Sequence, residues 1–239
     1  MHADIDHTTL SRTVPVDKAQ PTHATRLLNR LPRAKGTMQR LARRGNLEIM
    51  QWLRAQEPCP WDEETCRDAA VGGHLDTLQW LRAQEPPCPW DEWTCGCAAK
   101  GGSLETLQWL RAQEPPCPWD RSTCGWAARE GNLEILKWAR AQDPPAPWDE
   151  GACSGAARMG NLEILKWARA QDPPAPWSAW ACTSAAAVGH LETLKWLRAQ
   201  GCPLVDVETC NYAAAGGHLE ILKWVRSQDP PCPWNELTC

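Results

Sequence analysis

The sequence predicts an all-α solenoid of about seven helix pairs, in which near-identical two-helix units stack side by side. A phrase close to GHLETLKWLRAQ recurs seven times from Gly45 onward, at steps of 28 or 29 residues. A fixed period of that length is typical of stacked repeat arrays. A second constant stretch, PCPWDEWTC at its fullest, alternates with the phrase. Each unit therefore consists of two short segments joined by two different turns.

The recurring phrase is predicted to form one helix of each unit, which we call helix B. In residues 74–84 the side chains of Leu78, Trp80 and Leu81 recur at helical spacing. Asn or His stands where an N-cap is favoured, and an acid follows, which suits the positive end of the helix dipole. The prolines after residue 85 end the helix, because proline lacks the backbone donor and restricts the residue before it.

The second constant stretch is predicted to start the other helix, helix A, as in residues 62–73. It begins with acids, which suit a first turn, and it closes with Gly72 and Gly73, the residue type expected beyond a helix C-terminus. Each helix has only about ten residues, below the roughly 12–15 at which an isolated helix becomes marginally stable in water. The units must therefore stack, and their neighbours must supply the stability.

The alanine pair, glycine, histidine and acid between the helices resemble the ankyrin-repeat pattern, T-P-L-H-x-A-A-x-x-G-H-x-E-V-V-x-L-L-L. The resemblance covers about residues 37–239. The Thr-Pro-Leu-His part is replaced by residues 65–68, and each unit is about four residues shorter than the ankyrin period of roughly 33. We expect the short PPCPWD linkers in place of the family's β-hairpin fingers, because proline offers no donor to a strand ladder. The matching residues of the second unit are Ala69, Ala70, Gly73, His74, Asp76, Leu78 and Leu81.

Tryptophan fills two columns when the copies are compared with one another. Positions that stay constant across copies are expected to lie in the core, and one tryptophan can bury roughly 150–250 Å². We therefore expect these indoles to fill the seams between units; the alternative is that they form aromatic platforms for bases or sugars. The columns are Trp52, Trp80, Trp109, Trp138, Trp167, Trp196 and Trp224 in helix B, and Trp61, Trp90, Trp119, Trp148, Trp177 and Trp234 in the linker.

Cysteine also follows two columns, which favours packing over chemistry. Alanine replaces the linker cysteine at Ala146 and Ala175, which a packing position tolerates and a metal ligand does not. The spacing also differs from the close cysteine pairs of zinc sites. We therefore expect structural thiols, with zinc binding and disulfides as the alternatives, and we expect Cys97 to be the most exposed thiol. The columns are Cys66, Cys95, Cys124, Cys153, Cys182, Cys210 and Cys239 in helix A, and Cys59, Cys88, Cys117, Cys202 and Cys232 in the linker.

The charged columns predict surface contacts rather than catalysis. Glu134 and Lys137, like the equivalent pairs of other units, are ordinary neighbours at helical spacing. The arginine that ends each helix B, such as Arg82, is expected to complement the helix terminus and to cover a tryptophan face; phosphate binding is the alternative. Histidines before helix B, such as His74, are interpreted as turn formers. Since the sequence has no phosphate loop, nucleophile motif or metal motif, we expect neither an enzyme nor a cofactor or metal.

Three helix A columns vary freely between copies, at positions 3, 7 and 10 after the linker tryptophan or the residue in its place. Their spacing puts them on one face, which we call the variable stripe. The ankyrin resemblance implies that this face grips partners, and aromatic and cationic side chains are typical of binding hot spots. The alternative is neutral variation on a solvated face. The predicted partner-binding residues are Glu64, Asp68, Trp93, Cys97, Lys100, Trp126, Arg129, Arg158, Trp180 and Tyr212.

The N-terminal arm differs from the array in charge. Residues 1–44 carry nine Lys or Arg and three Asp, a balance of +6, whereas residues 45–239 carry 16 basic and 26 acidic side chains, a balance of −10. We expect residues 1–36 to be a largely disordered, solvated cap; a polyanion-binding arm and an organelle transit sequence are the alternatives. Within the array of residues 37–239, units are predicted to start near residues 37, 61, 90, 119, 148, 177 and 205, with a partial unit at 234–239.

These patterns predict a noncatalytic protein–protein interaction scaffold, monomeric and located in the cytosol or nucleus. We expect no membrane association, because no apolar run approaches the roughly 20 residues of a membrane span and the first residues lack a signal-peptide pattern. The alternative function is binding of nucleic acid or another acidic surface through the basic arm. The last unit halts before its alanine pair, so we expect that the natural chain continues beyond Cys239 or that its last helices are frayed or covered by a partner.

Overall fold

The computed structural model describes residues 36–56, 59–203, 206–228 and 231–233. Helices are the only regular secondary structure in those ranges, and they form seven pairs. The predicted all-α solenoid of about seven helix pairs is therefore confirmed, whereas the predictions for residues 1–35 and 234–239 lie outside the described residues. The A helices are α1 (Thr37–Arg43), α3 (Glu63–Val71), α5 (Glu92–Gly101), α7 (Arg121–Arg129), α9 (Glu150–Arg158), α11 (Ala179–Val188) and α13 (Asp206–Ala215). The B helices are α2 (Leu47–Gln56), α4 (Leu75–Arg82), α6 (Leu104–Arg111), α8 (Leu133–Arg140), α10 (Leu162–Arg169), α12 (Leu191–Ala199) and α14 (Leu219–Arg226).

Aspartate in the linker starts several A helices. In α3 the carboxylate of Asp62 accepts a hydrogen bond from the Thr65 hydroxyl at 3.4 Å, and the Asp62 N–H donates to that hydroxyl at 3.5 Å. In α7 and α9 the carboxylates of Asp120 and Asp149 accept from the backbone N–H two residues further on, at 2.9 Å in both helices. Such caps satisfy donors that a helix N-terminus leaves free and typically contribute about 1 kcal/mol. The aspartate after the linker tryptophan therefore fixes where these helices begin.

The A helices form the centre of the stack. Each packs against the neighbouring A helices and against the helix B of its own unit, whereas neighbouring B helices meet much less. The alanine pair of helix A is fully buried in each copy from Ala69 to Ala186. Because the distance between packed helices depends on the side chains at their contact, this small pair lets consecutive A helices approach closely. Leucines of helix B, such as Leu78 and Leu81, close the core from the other side.

The turn between helix A and helix B combines a glycine with a side chain that reaches the preceding unit. Gly102 has a φ of 76°, in the left-handed region that favours glycine. In each unit the residue after this glycine stands at the N-cap of helix B. In the fourth unit that residue is Asn132, whose side chain makes no capping hydrogen bond. Its side-chain amide donates instead to the carbonyl oxygen of Ala99 at 2.9 Å, and Nε2 of His218 lies 3.2 Å from that of Ala187. The predicted capping role is therefore wrong for these residues, which tie each unit to the one before it.

Tryptophan and arginine form a layer outside the core. Nη1 of Arg82 donates to the carbonyl oxygen of Cys88 at 2.6 Å, and its guanidinium carbon lies 3.9 Å from the centre of the Trp90 ring. The edge of Trp90 meets Trp109 of the following helix B, with ring centroids 6.1 Å apart. Five such arginine–tryptophan–tryptophan contacts recur along the described units. These indoles pack against the core but are half-buried, so their constant positions do not lie inside it. They lie in the seams between units, where they join consecutive B helices through the linker.

Most cysteines of the described residues are buried thiols, with one correction to the sequence prediction. Cys210 and Cys232 form a disulfide, so the expectation of free thiols is wrong for that pair. The sequence predicts Cys97 to be the most exposed thiol; it is half-buried, as is Cys59, whereas the other free thiols of the described residues are buried. Burial raises the pKa of the Cys97 thiol. Burial also raises the pKa of Cys124 and that of Cys153 to about 12. Both side chains are fully buried, which suits a packing role.

The linkers turn back along the end of helix B without forming a strand in the described ranges. The N–H of Cys88 donates to the carbonyl oxygen of Leu81 at 3.0 Å, and the N–H of Ala146 donates equivalently to Ala139 at 3.0 Å. These bonds and the arginine contacts hold the linker against the preceding helix. A cis peptide bond precedes a proline in four linkers, at Glu85–Pro86, Glu114–Pro115, Asp143–Pro144 and Asp172–Pro173.

Candidate functional site

The variable stripe lies on the solvent-facing side of the A helices. Trp93, Trp180 and Tyr212 expose 47%, 51% and 45% of their surface, more than any other aromatic residue that the structure describes. The constant tryptophans of the linkers and B helices are only half-buried, and most of them contact arginine or one another. Residues that vary between copies are thus the ones that present aromatic surface to solvent.

A groove of about 400 Å³ crosses the A helices in the middle of the stripe. It is open to solvent along its length, and it extends over α5, α7, α9 and α11. Its volume falls within the range of roughly 300–1,000 Å³ that is usual for ligand sites. The lining residues are Trp93, Asp120, Arg121, Ser122, Gly125, Trp126, Arg129, Asp149, Gly151, Ser154, Gly155, Arg158 and Ser184.

Small residues at repeated positions create the groove. The sixth residue after the linker tryptophan is Arg67 in the second unit but Gly125 in the fourth. The seventh is Trp126 in the fourth unit but Gly155 in the fifth. A Cβ atom added at Gly125 would meet no other atom within 4 Å, so the space above that residue is open. The missing side chain at Gly125 leaves a hollow that Trp93 also lines. At Gly155 the corresponding space is taken by Arg129, whose Cβ atom would lie 3.1 Å from an added Cβ.

Two cations flank Trp126 on the groove wall. The Lys100 ammonium lies 4.3 Å from the centre of the indole ring, and the Arg129 guanidinium carbon lies 5.1 Å from it. Both distances fall within the roughly 6 Å over which a cation is attracted to an aromatic face. The ring is also half-buried and packed against the core. These contacts hold Trp126 in place and gather positive charge at the edge of the groove.

The charge that the groove offers to a ligand is positive. Its two carboxylates are already engaged, because Asp120 caps α7 and Asp149 both caps α9 and pairs with Arg121 at 3.3 Å. Arg129 and Arg158 are exposed, and neither forms an ion pair with a carboxylate of the described residues. The two unpaired guanidinium groups are therefore available to an anionic group, to which they can donate two parallel hydrogen bonds.

The structure places the ten predicted partner-binding residues along one face but does not gather them into one site. Trp93, Trp126, Arg129 and Arg158 line the groove, and Lys100 borders it through Trp126.

The other five lie beyond the groove in both directions. Towards the N-terminus, Glu64 is exposed, Cys97 is half-buried, and Asp68 pairs with Arg43 at 3.3 Å. Towards the C-terminus, Trp180 and Tyr212 face each other with ring centroids 6.5 Å apart.

Sequence reasoning missed several lining residues. Gly125 and Ser154 are each the sixth residue after a linker tryptophan, a position outside the three columns of the variable stripe. The signal was present, because that position also changes from copy to copy, from Arg67 to Gly96 and Gly125. The sequence predicts only that the acids at Asp120 and Asp149 suit a first helical turn, and their place at the groove follows from the stacking of neighbouring helices.

The groove offers contacts rather than reactive groups. Within the described ranges, no group of three or more His, Cys, Asp or Glu side chains is placed to hold a metal ion. None of the fourteen helices of the described part combines the length and the apolar content that crossing a bilayer demands. Aromatic surface, hydroxyl groups and two available guanidinium groups can bind a partner through packing and charge-assisted hydrogen bonds.

Stacked helix pairs that repeat every 28 or 29 residues define the described part of this chain as a helical-repeat solenoid. No protein-family model matches the chain, and no curated protein matches it.

Among solved structures, the human ASB11 ankyrin repeat domain is similar at 15% identity and a TM-score of 0.45, over 72% of this chain and 86% of that chain. The pentatricopeptide repeat protein PPR10 in complex with an 18-nt psaJ RNA element is similar at 16% identity and a TM-score of 0.47, over 84% of this chain and 34% of that chain. PPR10 from maize is similar at 17% identity and a TM-score of 0.44, over 89% and 38%. The chain thus spans little more than a third of the PPR10 chains. All three TM-scores are low, so these similarities do not assign the fold. The assignment to the solenoid class rests on the helix pairs of this chain.

Proposed function

We propose that the chain is a noncatalytic binding scaffold that holds a protein partner on the variable stripe. The observation that carries this proposal is the groove across α5, α7, α9 and α11. Most of its lining residues differ between copies, whereas the frame around it, with Asp120 and Asp149, repeats. Repeat solenoids present extended surfaces of this kind to their partners.

The exposed aromatic residues support the same proposal. Trp93 and Trp180 each leave about half of their surface open, and large aromatic side chains are enriched at the centres of protein interfaces. Covering the open half of one such side chain would contribute roughly 2–3 kcal/mol, at about 25 cal/mol per Å². Two of them provide enough apolar contact to anchor a partner.

Affinity capture from a lysate of the source cells tests the proposal. The wild-type chain is compared with the Trp93→Ala/Trp180→Ala double variant, with the fold of each checked by circular dichroism. Leu219→Ala is the control, because Leu219 is 58% exposed but lies on helix B. We expect one set of proteins to be retained by the wild type and the control and lost by the double variant, with or without nuclease.

Two results would contradict the proposal. Equal retention by the double variant would mean that the stripe does not bind the partner. Retention that disappears after nuclease treatment would mean that nucleic acid, and not protein, is bound.

A further inference from the structure

We propose that the groove holds an extended acidic segment of a protein, with Arg129 and Arg158 pairing with its carboxylates and Trp93 packing against its apolar side chains. This inference rests on the proposed function, since it names the chemistry of the partner that the same face would bind. Three properties of the groove carry it: its unpaired positive charge, the spacing of that charge and its floor without side chains.

The positive charge selects an anionic ligand. The groove's own carboxylates are engaged in helix caps and in the pair of Asp149 with Arg121, so they do not neutralise Arg129 and Arg158. A guanidinium group matches a carboxylate geometrically, because its planar N–H groups can form two parallel hydrogen bonds. Each pair is partly shielded from solvent once an occupant fills the groove, which strengthens it relative to an open surface pair.

The spacing of the two arginines suits an extended chain. Arg129 and Arg158 are each the tenth residue after the linker tryptophan, and they are the last residues of α7 and α9, which pack directly against each other. Equivalent positions of packed helices are separated by roughly 8–10 Å. In an extended peptide, side chains two residues apart face the same way and lie about 7 Å apart. Carboxylates two residues apart are therefore within reach of both long, flexible guanidinium side chains.

The floor of the groove allows a peptide backbone to come close. Gly125 carries no side chain, and the space that a side chain would take there is open, so a backbone can approach the helix at this point. Hydroxyl groups of Ser154 and Ser184 line the same floor and can hydrogen-bond to a backbone. An acidic segment with alternating apolar residues can direct its carboxylates to the arginines and its apolar side chains to Trp93.

Single-stranded nucleic acid fits the groove less well. Aromatic binding of nucleic acid depends on bases stacking on open aromatic faces, whereas cations already flank the ring of Trp126. The observations therefore favour an acidic peptide.

Fluorescence anisotropy with two labelled peptides tests the inference on the full chain. In the first peptide Asp alternates with Val, and in the second Asn replaces every Asp. We expect the first to bind and the second to bind at least tenfold more weakly. The Arg129→Glu/Arg158→Glu variant should lose roughly 100-fold in affinity, since two charged hydrogen-bonded pairs are removed. The Lys137→Glu/Lys166→Glu variant makes the same charge change in the same two units on helix B, and it should stay within about threefold of the wild type.

A neutral variant tests the groove itself. Gly125→Leu places a side chain in open space without changing charge, so it should retain the fold and weaken binding of the Asp peptide at least tenfold.

Four results would overturn the inference: no binding of the Asp peptide, equal binding of the two peptides, equal loss in both double-charge variants, or competition by an oligouridylate of the same length. The proposed function is tested separately by affinity capture, and these four results leave it standing as long as the wild type retains proteins that the Trp93→Ala/Trp180→Ala variant loses.

Discussion

Arg140 offers the sharpest test of how the linkers are held. Its Nη1 donates to the carbonyl oxygen of Ala146 at 2.7 Å, and its guanidinium carbon lies 4.1 Å from the centre of the Trp148 ring. A hydrogen bond from a charged donor contributes about 1.5–3 kcal/mol, and a partly shielded cation–π contact about 0.5–2 kcal/mol. Arg140→Met keeps the apolar stem and removes both contacts. We therefore expect it to cost roughly 2–4 kcal/mol.

Hydrogen exchange at the linker measures this cost locally. The N–H of Ala146 donates to the carbonyl oxygen of Ala139 at 3.0 Å, so its exchange reports the opening of that linker. A loss of 3 kcal/mol corresponds to roughly 100-fold faster exchange. Urea unfolding followed by circular dichroism gives the corresponding loss for the whole array, and Arg158→Met, an exposed arginine without an ion pair among the described residues, is the control.

A double-mutant cycle with Trp148→Leu isolates the contact between the two side chains. We expect a coupling free energy of about 0.5–2 kcal/mol, because Arg140 loses its aromatic partner in the single tryptophan variant. A cost below about 0.5 kcal/mol for Arg140→Met, or strictly additive effects of the two substitutions, would refute the view that arginine fixes the linker.

Three further predictions follow from single contacts. Gly125→Ala should raise the free energy of unfolding by about 0.5–1 kcal/mol in a urea titration, because the added Cβ meets no atom within 4 Å and glycine is unfavourable in a helix; a loss of stability would contradict this. Asn132→Ala should cost about 1–2 kcal/mol and Asn132→His much less, since histidine makes the equivalent contact in other units; equal costs would mean that the contact between units adds nothing. Burial alone would raise the pKa of Asp91, but the hydrogen bond and charge of Arg67 outweigh it and lower that pKa. The stabilisation from this pair is therefore complete above the unfolded pKa of about 3.9 and is lost as the pH falls through the lower folded value. Arg67→Gln should lower the free energy of unfolding at neutral pH and reduce the further fall of that free energy on acidification. An unchanged fall on acidification would contradict this.

Comparison of the copies predicted the frame well and the roles of its residues less well. The glycine turns and the alanine pair follow from rules that act over a few residues, so the helix pairs could be read from the sequence. Constancy of Trp90, however, reports only that its surroundings repeat. It does not distinguish a buried side chain from one that is half-covered by Arg82. The prediction that Asn132 caps helix B is wrong for a related reason. Its hydrogen-bond partner belongs to the preceding unit, and 33 residues separate the two.

The groove could be predicted only in part. Variation at Trp93, Trp126, Arg129 and Arg158 marked the face, and these residues do line it. The hollow exists because Gly125 has no side chain. A missing side chain produces a cavity only when adjacent helices are stacked in register, which the sequence does not show. For the same reason the sequence could not separate the groove from the distant pair of Trp180 and Tyr212.

Residues 131–148 and 160–177 are identical in sequence, and their contacts to the preceding unit are equivalent as well. Asn161 donates to the carbonyl oxygen of Ala128 at 3.3 Å, as Asn132 does to that of Ala99 at 2.9 Å. Unequal recombination between the two gene segments would excise 29 residues without changing any amino acid at the new joint. The shortened protein would keep its internal connections but lose Arg158 and the hollow beside it in one event. Loss or gain of one whole unit would therefore change the proposed binding face while leaving the repeated frame on either side unaltered.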